Sequence, residues 1–339
     1  MVRRRWGVVA LVCVGLAVGF GLWRRGETGF EKEAIGDLRA VRIATTADSF
    51  IGWSVYAAAE KRFFQENGLA VDIRYQAYGQ ENLMAVRNGE ADLAVSSETP
   101  FIRAVLDGAD LCAVAVMITA RDHLAVVAGK DRGIRKPADL SGKRIGVVPA
   151  SNGEYLVDLV LTLYGLDQET VRRVGLKPDQ MVRALRSGDV DAVAAWNPYK
   201  AAAIAALGEE AMVFDAKGVY ASYFILSAAR DFADRQPRIL TRVIRALYAA
   251  SRFIRDHPVE AGQILNRRVP ALNSGRRVDM AAYDVRLQLD QAFLYTLEDQ
   301  ARWMMKQDSG ETGRTPNFLD FVCPDALEEV APDNMRIPR

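Results

Sequence analysis

Histidine and cysteine are scarce in this 339-residue chain, with two copies of the first and three of the second. Cys13, Cys112 and Cys323 lie far apart and make no Cys-x-x-Cys pair, so the spacing of a zinc site or a disulfide framework is absent. Buried free thiols are expected, with a single Cys112–Cys323 bridge left open. His123 begins a strand-like run and His257 precedes Pro258 at a helix end, places that suit structural rather than catalytic roles. An excess of one charge is missing too. Lys and Arg total 44 against 43 Asp and Glu, which excludes a general attraction to nucleic acid. With no nucleophile elbow, phosphate-binding loop or metal-ligating pair, neither an enzyme nor a cofactor or metal is expected.

One long uncharged run is present. In "MVRRRWGVVALVCVGLAVGFGLWRRGE" the 18 residues from Trp6 to Trp23 carry no charge and have arginines on both sides. At about 1.5 Å per residue the run measures about 27 Å, close to a bilayer core. Residues 1–25 are therefore read as a signal peptide or an N-terminal membrane anchor. Ala17-Val18-Gly19 offers a peptidase site, whereas the two tryptophans suit the interfaces of an uncleaved anchor. Both alternatives place the rest of the chain outside the cytoplasm: periplasmic, secreted or tethered to the inner membrane. Residues 26–40 read as a linker.

Regular patterning starts at residue 41. "VRIATT" (41–46) reads as a strand, "SVYAAAEKRFFQENG" (54–68) as an amphipathic helix and "AVDIRYQAY" (70–78) as an alternating strand. A helix from Gln80 to Asn88 and the strand "DLAVS" complete a strand-helix-strand-helix-strand unit. "KRIGVV" (143–148) restarts the same programme, and "NGEADLAV" (88–95) is echoed by "SGDVDAVA" (187–194). Gly89 answers to Gly188 and Asp92 to Asp191, the glycine permitting the left-handed turn that ends a helix. Ligands of open α/β sheets sit at the carboxyl ends of strands, so a shared frame with different tips reads as two scaffolds facing one crevice.

The runs "HLAVVAGKD" (123–131) and "YASYFILSA" (220–228) are expected to cross between two lobes as a hinge. Residues 41–124 and 222–339 then form lobe 1, and residues 125–221 lobe 2. Beyond residue 230, "RILTRVIRALYAASRFIRDHP" and "MAAYDVRLQLDQAFLYTLEDQARWMMKQ" are expected as long helices, and the tail from Ser309 as a surface wrap.

The stretches "RIATTADSFIGWSVYAAAEKRFFQENGLAVDI", "LMAVRNGEADLAVSSETP", "PADLSGKRIGVVPASNGEYLVDLVL" and "ALRSGDVDAVAAWNPY" together resemble a known family. They are similar to the extracytoplasmic substrate-binding proteins of ABC importers, in the NMT1/THI5-like branch of sulfonate, nitrate and thiamine-precursor binders. The resemblance implies an α/β, two-lobed periplasmic-binding-protein type II fold, each lobe a mainly parallel sheet flanked by helices, with a two-strand hinge. It further implies a clamp that hands one small solute to a permease and its ATPase. A monomer is expected. Thiamine-pyrimidine synthases share the family, but their cysteine-rich motif is absent and the counterpart stretch reads "SNGEY". Such an enzyme, or a membrane-tethered ligand sensor, is the alternative function.

Four strand-to-helix loops are expected to meet in the cleft. The first offers Asp48, Ser49 and Trp53, although Asp48 or Ser49 serves equally as a helix cap and Trp53 equally as core. The second offers Ser97, Glu98 and Thr99. The third places Ser151, Asn152 and Glu154 at a helix start, where Gly153 lets backbone donors approach a polar ligand. The fourth supplies the stacking face of Trp196 and the amide of Asn197, and Tyr223 on the return crossing closes the floor. Asp48, Glu98 and Glu154 make these loops acidic, so a neutral or cationic nitrogen compound is favoured over an oxyanion.

Overall fold

The structure, a computed structural model, describes residues 38–47, 49–269, 282–309 and 314–338. The expected signal peptide or anchor, most of the linker and Asp48 lie outside the described residues. Among the described residues no helix is long and apolar enough to cross a membrane.

Strands β1 (Arg39–Thr46), β2 (Leu69–Gln76), β3 (Leu93–Ser97) and β4 (Leu111–Ala120) come first. Next in the chain are β5 (Leu124–Gly129), β6 (Arg144–Val147), β7 (Arg172–Gly175), β8 (Ala192–Trp196) and β9 (Ala211–Phe214). The last are β10 (Ser222–Ala229), β11 (Tyr283–Asp290) and β12 (Met335–Arg336). They build a seven-stranded sheet, β12-β11-β4-β10-β3-β1-β2, and a five-stranded sheet, β7-β6-β8-β5-β9. The chain passes between the sheets through the short links 121–123 and 215–221, so the runs expected as crossings lie mostly within sheets.

Both sheets are mixed, which corrects the expectation of mainly parallel ones. β1 pairs in parallel with β2 and β3, and β6 with β7 and β8, as β-α-β units require. β10 runs antiparallel to β3 and β4, and β5 to β8 and β9. Strands that arrive from the other sheet have no crossover helix to reverse them, so they run against their neighbours.

The internal echo is an ion pair used twice. Asp92 Oδ2 accepts from Arg42 N at 2.8 Å and Oδ1 from Arg42 Nη2 at 2.6 Å; Asp191 repeats this with Arg144 at 2.9 and 2.8 Å. Each bidentate pair fixes the entry of one parallel strand, β3 or β8, to the strand beside it. Gly89 and Gly188 precede them at φ 72° and 80°, a conformation other residues rarely adopt.

The first sheet carries α1 (Trp53–Glu60), α2 (Phe63–Glu66), α3 (Gly79–Arg87) and α4 (Glu98–Leu106). The second carries α5 (Asn152–Leu163), α6 (Met181–Ser187) and α7 (Tyr199–Leu207). Further along are α8 (Arg230–Arg235), α9 (Pro237–Asp256), α10 (Pro258–Arg268), α11 (Gln291–Ser309) and α12 (Asp325–Val330). α9 buries Leu240, Val243, Ile244, Leu247 and Ile254 along one stripe against α1 and β11. Each such side chain contributes about 1.5–3 kcal/mol when fully buried.

Three further expectations are corrected. The helix expected over 54–68 is two helices, because Arg62 turns left-handed at φ 63° between them. Residues 283–290 are a strand: Tyr283, Val285, Leu287 and Leu289 are buried while Asp284 and Arg286 are exposed, a period of two. Cys112 and Cys323 are joined in a disulfide, with Cα atoms 5.7 Å apart, and are not free thiols. The described tail reaches β4 because Phe318 is fully buried and Cys323 N donates to Ala113 O at 2.9 Å. Most of its residues are half-buried or exposed, so the tail runs over the surface as expected, anchored by these contacts.

Candidate ligand-binding site

Since β1 and β3 run parallel, and so do β6 and β8, their carboxyl ends present loops to one cleft. That cleft opens to solvent. Ser49, Ser97, Ser151, Asn152 and Trp196, five of the sequence candidates, line it together with Thr46, Phe50 and Phe224. One residue or more from each of the four expected loops is therefore brought together. Among the described residues no Asp, Glu, Lys or Arg lines the cleft.

The lining hydroxyls differ in what they have left to offer. Ser151 Oγ donates to Val148 O at 2.6 Å and accepts from Gly153 N at 3.2 Å and Glu154 N at 3.4 Å, so it acts within its loop as the cap of α5. Ser49 Oγ accepts from Ile51 N at 3.4 Å, which leaves its hydrogen for another acceptor. Ser97 stands at the N-cap of α4 but makes no side-chain cap bond. Thr46 Oγ1 accepts from Asn82 Nδ2 at 3.1 Å. Gly79, Ser97 and Asn152 bring the starts of α3, α4 and α5 to the cleft, and helix starts carry unpaired N–H groups and partial positive charge.

The other candidates do not line the cleft. Glu98 is fully buried behind Ser97. Its Oε1 accepts from the Tyr220 hydroxyl and from Gln300 Nε2 at 3.0 Å, and its Oε2 accepts from Tyr223 N at 2.9 Å. Burial pushes the carboxyl pKa up, and these hydrogen bonds oppose that shift only in part. Thr99 donates to Gln300 Oε1 at 2.7 Å, and Tyr223 packs its ring 5.6 Å from that of Phe293. Trp53 is core, donating from Nε1 to Ala261 O at 3.0 Å to join α1 to α10. Glu154 Oε2 accepts from Ala150 N at 2.7 Å and so holds Ala150 at φ 53°, with burial raising the carboxyl pKa. Asn197 sits half-buried in the turn before a cis proline, and Asp48 is outside the described residues.

Sequence reasoning missed Tyr78, Gly79, Gln80 and His123, which also line the cleft. The strand-to-helix rule applied to the end of β2 finds the first three. Gln80 Nε2 reaches across to Pro149 O at 3.3 Å. His123 lies edge-on to Phe50 and Phe224, with centroids 5.7 and 5.2 Å away. Burial, with Lys200 adding to it, lowers the imidazole pKa to about 3, so the ring is neutral.

Beside the cleft, α5 meets α11. The Tyr155 hydroxyl donates to Asp299 Oδ2 at 3.0 Å, and Asp158 Oδ2 accepts from Trp303 Nε1 at 2.8 Å and Gln307 Nε2 at 2.9 Å.

The profile of the family described as NMT1/THI5 like matches residues 52–261. The chain spans about half the length of the curated relatives it matches. A putative binding protein of Brucella abortus (strain 2308) is 29% identical over 167 residues, 49% of this chain and 50% of that protein. A putative aliphatic sulfonates-binding protein of Escherichia coli (strain K12) is 27% identical over 178 residues, 52% of this chain and 56% of that protein. Among solved structures, the alkanesulfonate-binding protein from Xanthomonas axonopodis pv. citri bound to MOPS superposes with a TM-score of 0.70 at 20% identity, covering 85% of this chain and 99% of that one. That likeness establishes the periplasmic-binding-protein fold. The profile covers more than half of the sequence, and on that ground the chain belongs to the NMT1/THI5-like family.

Proposed function

We propose that this protein is the extracytoplasmic solute-binding component of an ABC importer, closing its lobes on a small organic anion and delivering it to a permease and its ATPase. The observation that carries the reading is the cleft lining: neutral side chains, hydroxyl donors and three helix starts, with no carboxylate among the described residues. Such a lining stabilises negative charge without a cationic side chain. The likeness to a putative aliphatic sulfonates-binding protein and to an alkanesulfonate-binding protein supports the same class. The Cys112–Cys323 disulfide fits an oxidising compartment, in keeping with a periplasmic location.

A nitrogen-containing solute was the expectation from loop charge, and it required carboxylates facing the ligand. Glu98 and Glu154, two of the three carboxylates behind that expectation, are turned into internal hydrogen bonds instead, while Asp48 lies outside the described residues. The Trp196 face still suits a planar or apolar tail. Calorimetry with ethanesulfonate and with acetamidine tests the choice. Saturable binding of the sulfonate alone is expected, and binding of acetamidine alone contradicts it. Mass analysis should recover the solute unchanged; a converted product points to an enzyme.

A further inference from the structure

We infer that Asn82, by donating to the Thr46 hydroxyl, keeps the hydroxyl hydrogen available to an acceptor in the cleft, an inference that rests on the anion reading above. Asn82 lies on α3 with its side chain wholly buried between the carboxyl ends of β1 and β3. One terminal atom of its amide reaches both Val95 O, at 2.6 Å, and Thr46 Oγ1, at 3.1 Å. A backbone carbonyl only accepts, so that atom is Nδ2, and its second hydrogen goes to Thr46 Oγ1. The amide therefore cannot flip without setting its oxygen against the Val95 carbonyl. With Asn82 as donor, the Thr46 hydroxyl hydrogen turns away from it and is free to serve an acceptor in the cleft that Thr46 lines.

The backbone of Thr46 is held as well, since the Tyr56 hydroxyl donates to Thr46 O at 3.0 Å. A Cβ on Gly52 would lie 2.5 Å from the Tyr56 ring, so glycine at that position is what admits the ring. Thr46 is thus held at its backbone by Tyr56 and at its hydroxyl by Asn82. With one lone pair taken by Asn82, the Thr46 hydroxyl keeps its hydrogen and one lone pair for the cleft. A sulfonate or carboxylate oxygen takes that hydrogen in a charge-assisted bond. Asn82 is a positioning residue that acts through Thr46 and does not itself touch the solute.

The test is a double-mutant cycle read by calorimetry with ethanesulfonate, with thermal melting as the check on folding. Thr46→Val should weaken binding about tenfold, as loss of one hydrogen bond to a charged group does, and Asn82→Leu about threefold. The double variant should bind no more weakly than Thr46→Val, because Asn82 has nothing left to act through. Losses that multiply, or a Thr46→Val protein with wild-type affinity, overturn the inference and leave the anion reading intact. Thr46→Val keeps the side-chain shape and decides the matter if Asn82→Leu fails to fold. A wild-type protein that prefers acetamidine, or binds no organic anion, overturns the reading and the inference together.

Discussion

Trp303 Nε1 donates to Asp158 Oδ2 at 2.8 Å, and this bond joins α11 of the first sheet's lobe to α5 of the second's. Asp158 also pairs with Arg173 on β7, and its side chain is only 2% exposed. Trp303→Phe removes this one of the three bonds between α5 and α11 and keeps the Arg173 pair. Small-angle scattering of that variant with solute should give a larger radius than wild type, with affinity down about fivefold from the loss of one hydrogen bond. Asp158→Asn should lower stability as well, by about 3 kcal/mol, because it leaves Arg173 without its partner. If both variants scatter and bind as wild type, the contact has no part in closure.

Acid should act on His123. Its pKa is lowered to about 3 by burial, against an ordinary value of 6.5. Between those values the unfolded chain takes up a proton that the folded chain refuses. The stability His123 leaves intact above pH 6.5 therefore falls as pH drops toward 3, by up to about 1.4 kcal/mol per pH unit. Glu98 and Glu154 have raised pKa values and so act with the opposite sign, their contribution being lost as pH rises through the folded pKa. Urea titrations of wild type and His123→Gln isolate the histidine: wild type should lose stability relative to the variant as pH falls from 6.5. A pH-independent difference contradicts the buried neutral imidazole.

Trp196 and Glu98 should separate binding from folding. Trp196→Ala, at a half-buried cleft position, should weaken solute binding with a small change in melting temperature. Glu98→Ala strands Tyr220, Gln300 and the Tyr223 amide, which should cost about 2–4 kcal/mol of stability as several buried groups lose partners together. The reverse pattern in paired melting and binding experiments means the two roles are exchanged.

Reduction should loosen the tail. The Cys112–Cys323 bridge closes a span of 211 residues, for which the chain-entropy model gives about 5 kcal/mol, commonly less in practice. Dithiothreitol or Cys323→Ser should lower the melting temperature while the cleft, lined by neither cysteine, keeps its affinity. An unchanged melting temperature contradicts a formed bridge.

The twin strand-helix units and their Gly–Asp joints were legible because helix and strand periods, and turn glycines, are local properties. Glu98 was not, although Ser97 beside it lines the cleft. Successive residues at a helix start point about 100° apart, so two neighbours in one loop face a ligand and a core. The strand at 283–290 was hidden because a window reaching into α11 averages its alternation into a helical pattern. The disulfide was unreadable for a related reason: only the return of the tail onto β4 brings Cys323 to Cys112.

Hydrogen–deuterium exchange with and without ethanesulfonate tests most directly whether four loops grip one solute. Protection should rise together at residues 46–53, 96–100, 149–154 and 196–199, with the start of α3 joining them. Protection confined to a single loop, or appearing away from the cleft, contradicts a clamp closed on its ligand.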